Sequence, residues 1–166
     1  MARIDVTQDI VLTRVIERLR DQLELDARHC FETDDPDAVQ TPRSGDYWVT
    51  VYIGPGQFDV PNQIGGGAEQ LTETIPVIVT AYSRVRLDPV DEGEKTFHSA
   101  TRGLYVLKAK LLKALVGHDL TDSDGNTFLR QLLYATRAAV PIVDKAEGRG
   151  KIAVEFGVEW DWDLDS

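Results

Sequence analysis

The chain has 166 residues, 42% of them hydrophobic and 28% charged, the size and balance of one globular α+β-sized domain (1–166) with a buried core rather than of a disordered segment. Its net charge of −10 and pI near 4.7 oppose the clustered Lys and Arg that grip phosphates, which argues against a duplex-binding protein. No apolar run reaches a dozen residues, the N-terminal stretch lacks the apolar centre of a signal peptide, and the one cysteine, Cys30, admits no intramolecular disulfide, so no membrane is involved and the cytoplasm is the expected compartment.

In chain order, Val11, Leu12, Val15, Ile16, Leu19 and Leu23 recur at helical spacing and predict a helix over about 7–25, with Arg14, Glu17, Arg18, Asp21 and Gln22 on its other face. Thr7 or Asp5 can cap it, and Asp5 with Gln8 has capping-box spacing. Residues 32–46 read as a loop rich in Asp, Pro, Ser and Gly. Tyr47–Ile53 is an aromatic and β-branched strand that Gly54-Pro55-Gly56 stops. A second strand spans about 71–86, and Pro76, which has no N–H to donate, is expected on an edge or at a bulge. These two strands make an antiparallel hairpin. Its long tip carries Pro61, Asn62 and Gly65-Gly66-Gly67, and loops of that length are usually functional or disordered.

An acidic turn at 88–94 leads to the longest predicted helix, about 95–116, with Phe97, Ala100, Leu104, Leu107, Leu111 and Leu115 as its buried stripe. Lys108, Lys110 and Lys113 suit its negative end, and Gly117 stops it. Gly103 falls inside this helix at a cost of about 1 kcal/mol relative to Ala. Residues 127–143 are ambiguous: Leu129, Leu132 and Leu133 favour a short helix, whereas the Asp124-Gly125 turn favours a strand, and Pro141 ends either. From 151 to 164, Ile152, Val154, Phe156, Val158, Trp160, Trp162 and Leu164 alternate with Ala153, Glu155, Gly157, Glu159, Asp161 and Asp163, a long half-buried strand with one acidic face. The fold class is α+β, a mainly antiparallel sheet packed by an N-terminal and a long central helix.

No motif carries catalysis, and no cofactor or metal is expected. The glycine triplet lacks the Lys-Ser or Lys-Thr of a phosphate loop. Asp122, Asp124 and Asn126 resemble the start of a calcium loop, but Gly125 comes too early and no glutamate closes the frame. His29, His98 and His118 lack ligand spacing. Cys30 with His98 or His118 is the one conceivable nucleophile pair, set against the plainer reading of Cys30 as partly buried filler. Glu155, Glu159, Asp161 and Asp163 line a strand face instead of a cleft, which suits a solvated or assembly-facing strip better than paired catalytic carboxylates.

The order of elements, an N-terminal helix, the hairpin Tyr47–Arg86 with its glycine-containing tip, the helix Lys95–Val116 and the closing strand Ile152–Leu164, resembles the tail-terminator and tail-completion proteins of long-tailed bacteriophages. The ending Phe156-Gly157-Val158-Glu159-Trp160-Asp161-Trp162 looks like the closing strand of that group. The resemblance implies a virion part, assembled in the host cytoplasm. It forms a ring, commonly a hexamer, that caps the tail tube, joins it to the head connector and lets DNA pass without specific binding. On that reading the hairpin loop, with Gly56, Phe58, Val60, Ile64, Gly65, Gly66 and Gly67, contacts neighbouring subunits, and Glu155, Glu159, Asp161 and Asp163 face the lumen or solvent. Competing expectations are another neck or tail component (connector or tube subunit), and a small hydrolase or ligand-binding domain using Cys30 and a histidine.

Overall fold

A computed structural model of the chain describes residues 7–37, 42, 44–59, 70–84, 103–120, 133–144 and 148–163. Two helices and seven strands lie in that part: α1 (Thr7–Leu23), β1 (Cys30–Glu32), β2 (Tyr47–Ile53), β3 (Gln57–Phe58), β4 (Gln70–Arg84), α2 (Leu104–Leu115), β5 (Tyr134–Ala138), β6 (Ile142–Asp144) and β7 (Arg149–Asp163). They form one sheet in the order β1-β2-β4-β7-β5, with β3 paired to β4 and β6 to β7. Every pairing is antiparallel except that of β1 with β2. The fold is α+β, as the pattern of elements predicts.

The backbone of the sheet is the pairing of β4 with β7, which runs unbroken from Gln70↔Asp163 to Arg84↔Arg149. Alternation along both strands fixes that register, because a slip of one residue would turn the core side chains to the other face. Val49 and Val51 of β2, Ile75, Val77, Val79 and Ala81 of β4, and Ile152, Val154, Phe156 and Val158 of β7 meet on one face. Both helices contribute to that same core. The predicted stripe of α1 is buried at Val11, Val15, Ile16, Leu19 and Leu23, and α2 adds Leu104, Leu107, Leu111, Ala114 and Leu115. Each of the larger side chains contributes about 1.5–3 kcal/mol by leaving water. The arginines of α1 do more than solvate its far face. Arg18 Nε donates to Ala114 O at 3.1 Å, Arg14 Nη1 to Leu120 O at 2.7 Å, and Arg20 to Cys30 O at 2.8 and 3.0 Å, satisfying carbonyls at helix and strand ends.

Several expectations are corrected. Gly103 is not a helix-interior residue: its ψ of 144° makes it the N-cap of α2, so it carries no interior glycine penalty. Within the predicted span of 95–116, α2 covers Leu104–Leu115, and residues 95–102 lie outside the described ones. Gly117 does end it, with φ +77°, a conformation that glycine adopts without strain. The segment left open between helix and strand is extended in its described half, where β5 and β6 flank Pro141; residues 127–132 lie outside the described ones. Tertiary pairing along β7 wins over the local leucine spacing there. β1, a three-residue strand parallel to β2, carries no periodicity of its own and was not foreseen.

Pro76 lies in a central strand, not on an edge, and the solution is a break in its partner. The β2 pairing ends at Ile53↔Val77 and β3 resumes at Gln57↔Thr74, leaving Gly54-Pro55-Gly56 opposite Ile75 and Pro76. Gly54 N–H donates to Pro76 O at 2.9 Å, so the missing proline N–H faces the interrupted stretch.

Candidate functional site

The hairpin formed by β2, β3 and β4 is longer than the sequence indicates. Gly54-Pro55-Gly56 interrupts the pairing without ending it, and Asp59 N–H still donates to Thr72 O at 3.1 Å. Gly56 is half-buried, and a Cβ there would come within 1.8 Å of Glu73 Oε1. Glu73 itself is only 3% exposed and accepts a bond from Gln8 Nε2 of α1 at 3.0 Å, so the base of the hairpin is tied to the N-terminal helix by a buried carboxylate. Phe58, one residue pair farther out beside Glu73, is half exposed. Val60, Ile64, Gly65, Gly66 and Gly67, named as the rest of the candidate loop, lie outside the described residues.

The face of the sheet turned away from the helices is not uniformly acidic. Arg84, Arg149 and Lys151 occupy one end, whereas Glu155 and Glu159 lie farther along β7. Glu155 is paired: Arg137 Nη2 lies 3.2 Å from its Oε2, and Thr136 Oγ1 lies 3.3 Å from its Oε1. Arg137 is well exposed, so this pair adds little to stability. Between the two glutamates, Gly157 is buried under the ring of Tyr134, its cross-strand partner; a Cβ there would come 2.4 Å from Tyr134 Cζ. Asp161 and Asp163 take backbone positions opposite Thr72 and Gln70, and their side chains lie outside the described residues.

That face also carries a cluster the sequence reading missed. Trp48 and Tyr82 are cross-strand partners whose rings stack at 5.2 Å and 6°, both fully buried, with the Arg84 guanidinium 5.4 Å from the Trp48 ring centre. Thr50 and Thr80 beside them are also buried. The signal was a tryptophan and a tyrosine on the polar side of two alternating strands; only the register brings them opposite one another.

Among the described residues, β5 and β6 form the edge beyond β7, and this edge exposes aliphatic side chains beside Thr136 and Arg137. Val140 is 80% exposed and Ile142 53%, with Ala135, Ala138 and Ala139 exposed beside them. A β-bulge between Ala135 and Arg137, and Pro141, are the devices that usually blunt a free edge.

The residues considered for nucleophilic chemistry are set against it. Cys30 is fully buried, and burial pushes its thiol up to about 11. At pH 8 roughly one thiol in a thousand is then ionised, the reverse of what a nucleophile requires. Alkylation by iodoacetamide at pH 8 should therefore be slow in the native protein and fast in denaturant; equal rates would show an accessible thiol. His118 has its pKa lowered, first by burial and then by Arg18, and its Nδ1 accepts the Leu120 N–H at 2.9 Å. That bond uses the nitrogen lone pair a general base would need. His98 lies outside the described residues. Among the described residues, no group of three or more His, Cys, Asp or Glu is placed to hold a metal ion, and no helix is long and apolar enough to cross a membrane.

No protein-family model matches the sequence, and no curated protein matches it. Among solved structures, one chain of the virion of a native gene transfer agent particle is similar at 18% identity and a TM-score of 0.48, over 87% of this chain and 92% of that one. A second solved chain is similar at 14% identity and a TM-score of 0.46, over 93% of this chain and 96% of its own. Likenesses this distant assign no role.

Proposed function

We propose that this chain is a structural virion protein of the tail-terminator type, a non-enzymatic subunit that closes into a ring, caps the tail tube and joins it to the head connector. The observation that carries the reading is the exposed aliphatic edge at Val140 and Ile142, a surface suited to a neighbouring subunit. The element order supports it from the sequence side: helix, long hairpin, helix and closing strand run in the order of the tail-completion group. One such edge meeting a different surface of the next copy is a heterologous contact, which generates a ring when the rotation closes. The Phe58 end of the hairpin is the second contact proposed, continuing into the loop at Val60, Ile64 and Gly65–Gly67. The end of β7 carrying Glu155, Glu159, Asp161 and Asp163 is proposed to face the channel, where a chain of net charge −10 repels DNA and leaves it free to move.

Light scattering across a concentration series tests the ring, and co-sedimentation with purified tail tubes and with heads tests its place. A closed oligomer that binds tube ends is expected. A monomer at all concentrations with no binding to tails removes the reading, and binding to heads alone redirects it to a connector. Val140→Asp with Ile142→Asp should abolish self-association while shifting unfolding free energy by no more than about 0.5 kcal/mol, since both side chains are exposed. Unchanged oligomer size in that variant would remove the edge from the interface.

A further inference from the structure

The turn between α1 and β1 holds a histidine in an arrangement that the proposed assembly does not use. His29 Nδ1 lies 2.6 Å from Asp26 Oδ1, and His29 Nε2 lies 2.8 Å from the carbonyl oxygen of Ser44. Both partners are acceptors. A neutral imidazole carries one N–H and can satisfy only one of them, leaving the other nitrogen's lone pair against an oxygen. Only the imidazolium donates to both.

The surroundings hold this geometry in place. Asp26 Oδ1 also accepts the backbone N–H groups of Arg28 and His29, at 3.0 and 3.1 Å, which fixes the carboxylate. On the other side, Gly45 has φ +94° and packs so closely that a Cβ would come 2.6 Å from His29 Nε2. Arg84 of β4 reaches the same turn from beyond, its Nε donating to Gly45 O at 2.7 Å and its Nη2 to Pro42 O. Residues 44–46 lead directly into β2, and Val49 N–H donates to His29 O at 2.8 Å.

We propose that His29 is a doubly protonated clasp that fastens the 44–46 segment to the α1–β1 turn, and that losing one proton opens the Ser44 side of the clasp. The Ser44 carbonyl, then the Asp26 carboxylate, hold the imidazole above the usual histidine value, while burial and then Arg28 oppose them with smaller effect. The His29 hydrogen bond is the main reason that Asp26 titrates below the usual carboxylate range. A histidine raised by folding stabilises fully below its unfolded pKa, and that contribution is lost as pH rises through the folded value. The Asp26 contribution is present above the ordinary carboxylate value and is lost on acidification. The clasp is therefore tightest in mildly acidic solution and opens on the alkaline side. Arg84 keeps its hold at every such pH, so the expected result is a local loosening of the turn, not unfolding.

The test is a pH titration of the intact wild-type chain by nitrogen-detected imidazole NMR, with amide hydrogen exchange followed in parallel. The His29 resonances should show both ring nitrogens protonated in mild acid and a midpoint above that of an unfolded-chain histidine. Asp26→Asn should move that midpoint downward. Exchange at 45–47, corrected for its intrinsic pH dependence, should speed up above the midpoint in wild type and be pH-independent in His29→Gln. A midpoint at or below the ordinary histidine value, or a single-protonated ring in mild acid, overturns the proposal. So does turn exchange that ignores the titration in the wild-type chain, a reading that needs no variant to fold.

Discussion

Replacing Phe156 with Ala is expected to lower unfolding free energy by about 3–5 kcal/mol, the usual range for deleting a fully buried aromatic side chain. Phe156 sits in the middle of β7, opposite Val77 on β4 and Ala135 on β5, and has no exposed surface. It faces the helices with Val154 and Val158 on either side, so the void left behind lies between sheet and helices. For a chain of this length, the loss corresponds to roughly 6–20 °C in melting temperature. Chemical denaturation with an unchanged slope would attribute the change to the native state. A fall of under about 1 kcal/mol would mean that the core at this point collapses around the gap, and would contradict the packing described.

Gly56→Ala is the second large effect, and its origin is a steric clash with a buried carboxylate instead of backbone strain. Gly56 is not among the glycines with positive φ, so the backbone there accepts an alanine. The obstacle is the Glu73 carboxylate, whose Oε1 would stand 1.8 Å from the new methyl while held by Gln8 Nε2. A buried carboxylate cannot move to an equally solvated place without losing its hydrogen bonds. The expected cost is about 1–3 kcal/mol, as for other overpacked sites. A double-mutant cycle checks the cause. In a Glu73→Ala background the same substitution meets no carboxylate and should cost no more than about 0.5 kcal/mol. Equal costs in both backgrounds would show that Glu73 is not what requires glycine at 56.

How much of this was legible beforehand depends on the range of the interactions involved. α1, β2, β4 and β7 could be read because each carries its own period: the 3.6-residue stripe from Val11 to Leu23, or alternation such as that from Ile152 to Val158. The hairpin followed from adjacency in the chain. The segment after Leu133 stayed ambiguous, because leucine spacing points to a helix and the Asp124-Gly125 turn to a strand, and only β7, lying alongside, makes extended chain the better state. Gly103 was misplaced for a related reason: periodicity shows which residues are buried, but not where the backbone leaves its helical angles. Of the candidate surfaces, the glycine-containing loop and the acidic strand were visible as residue types. That Glu155 is paired with Arg137, and that Val140 and Ile142 are exposed beside β7, were not.

The sequence by itself determined the class of the fold, the inward face of each long strand and helix, and the acidity that sets this chain apart from phosphate-gripping proteins. Those properties depend on neighbours a few residues apart and on summed charge. The tertiary structure alone decided the sheet order, the parallel seat of β1, the Trp48–Tyr82 stack, the fit of Gly56 against Glu73 and the two-acceptor clasp on His29. Each of these depends on at least one contact between residues many positions apart. No local pattern encodes such a pair, because its energy exists only after the chain has closed on itself.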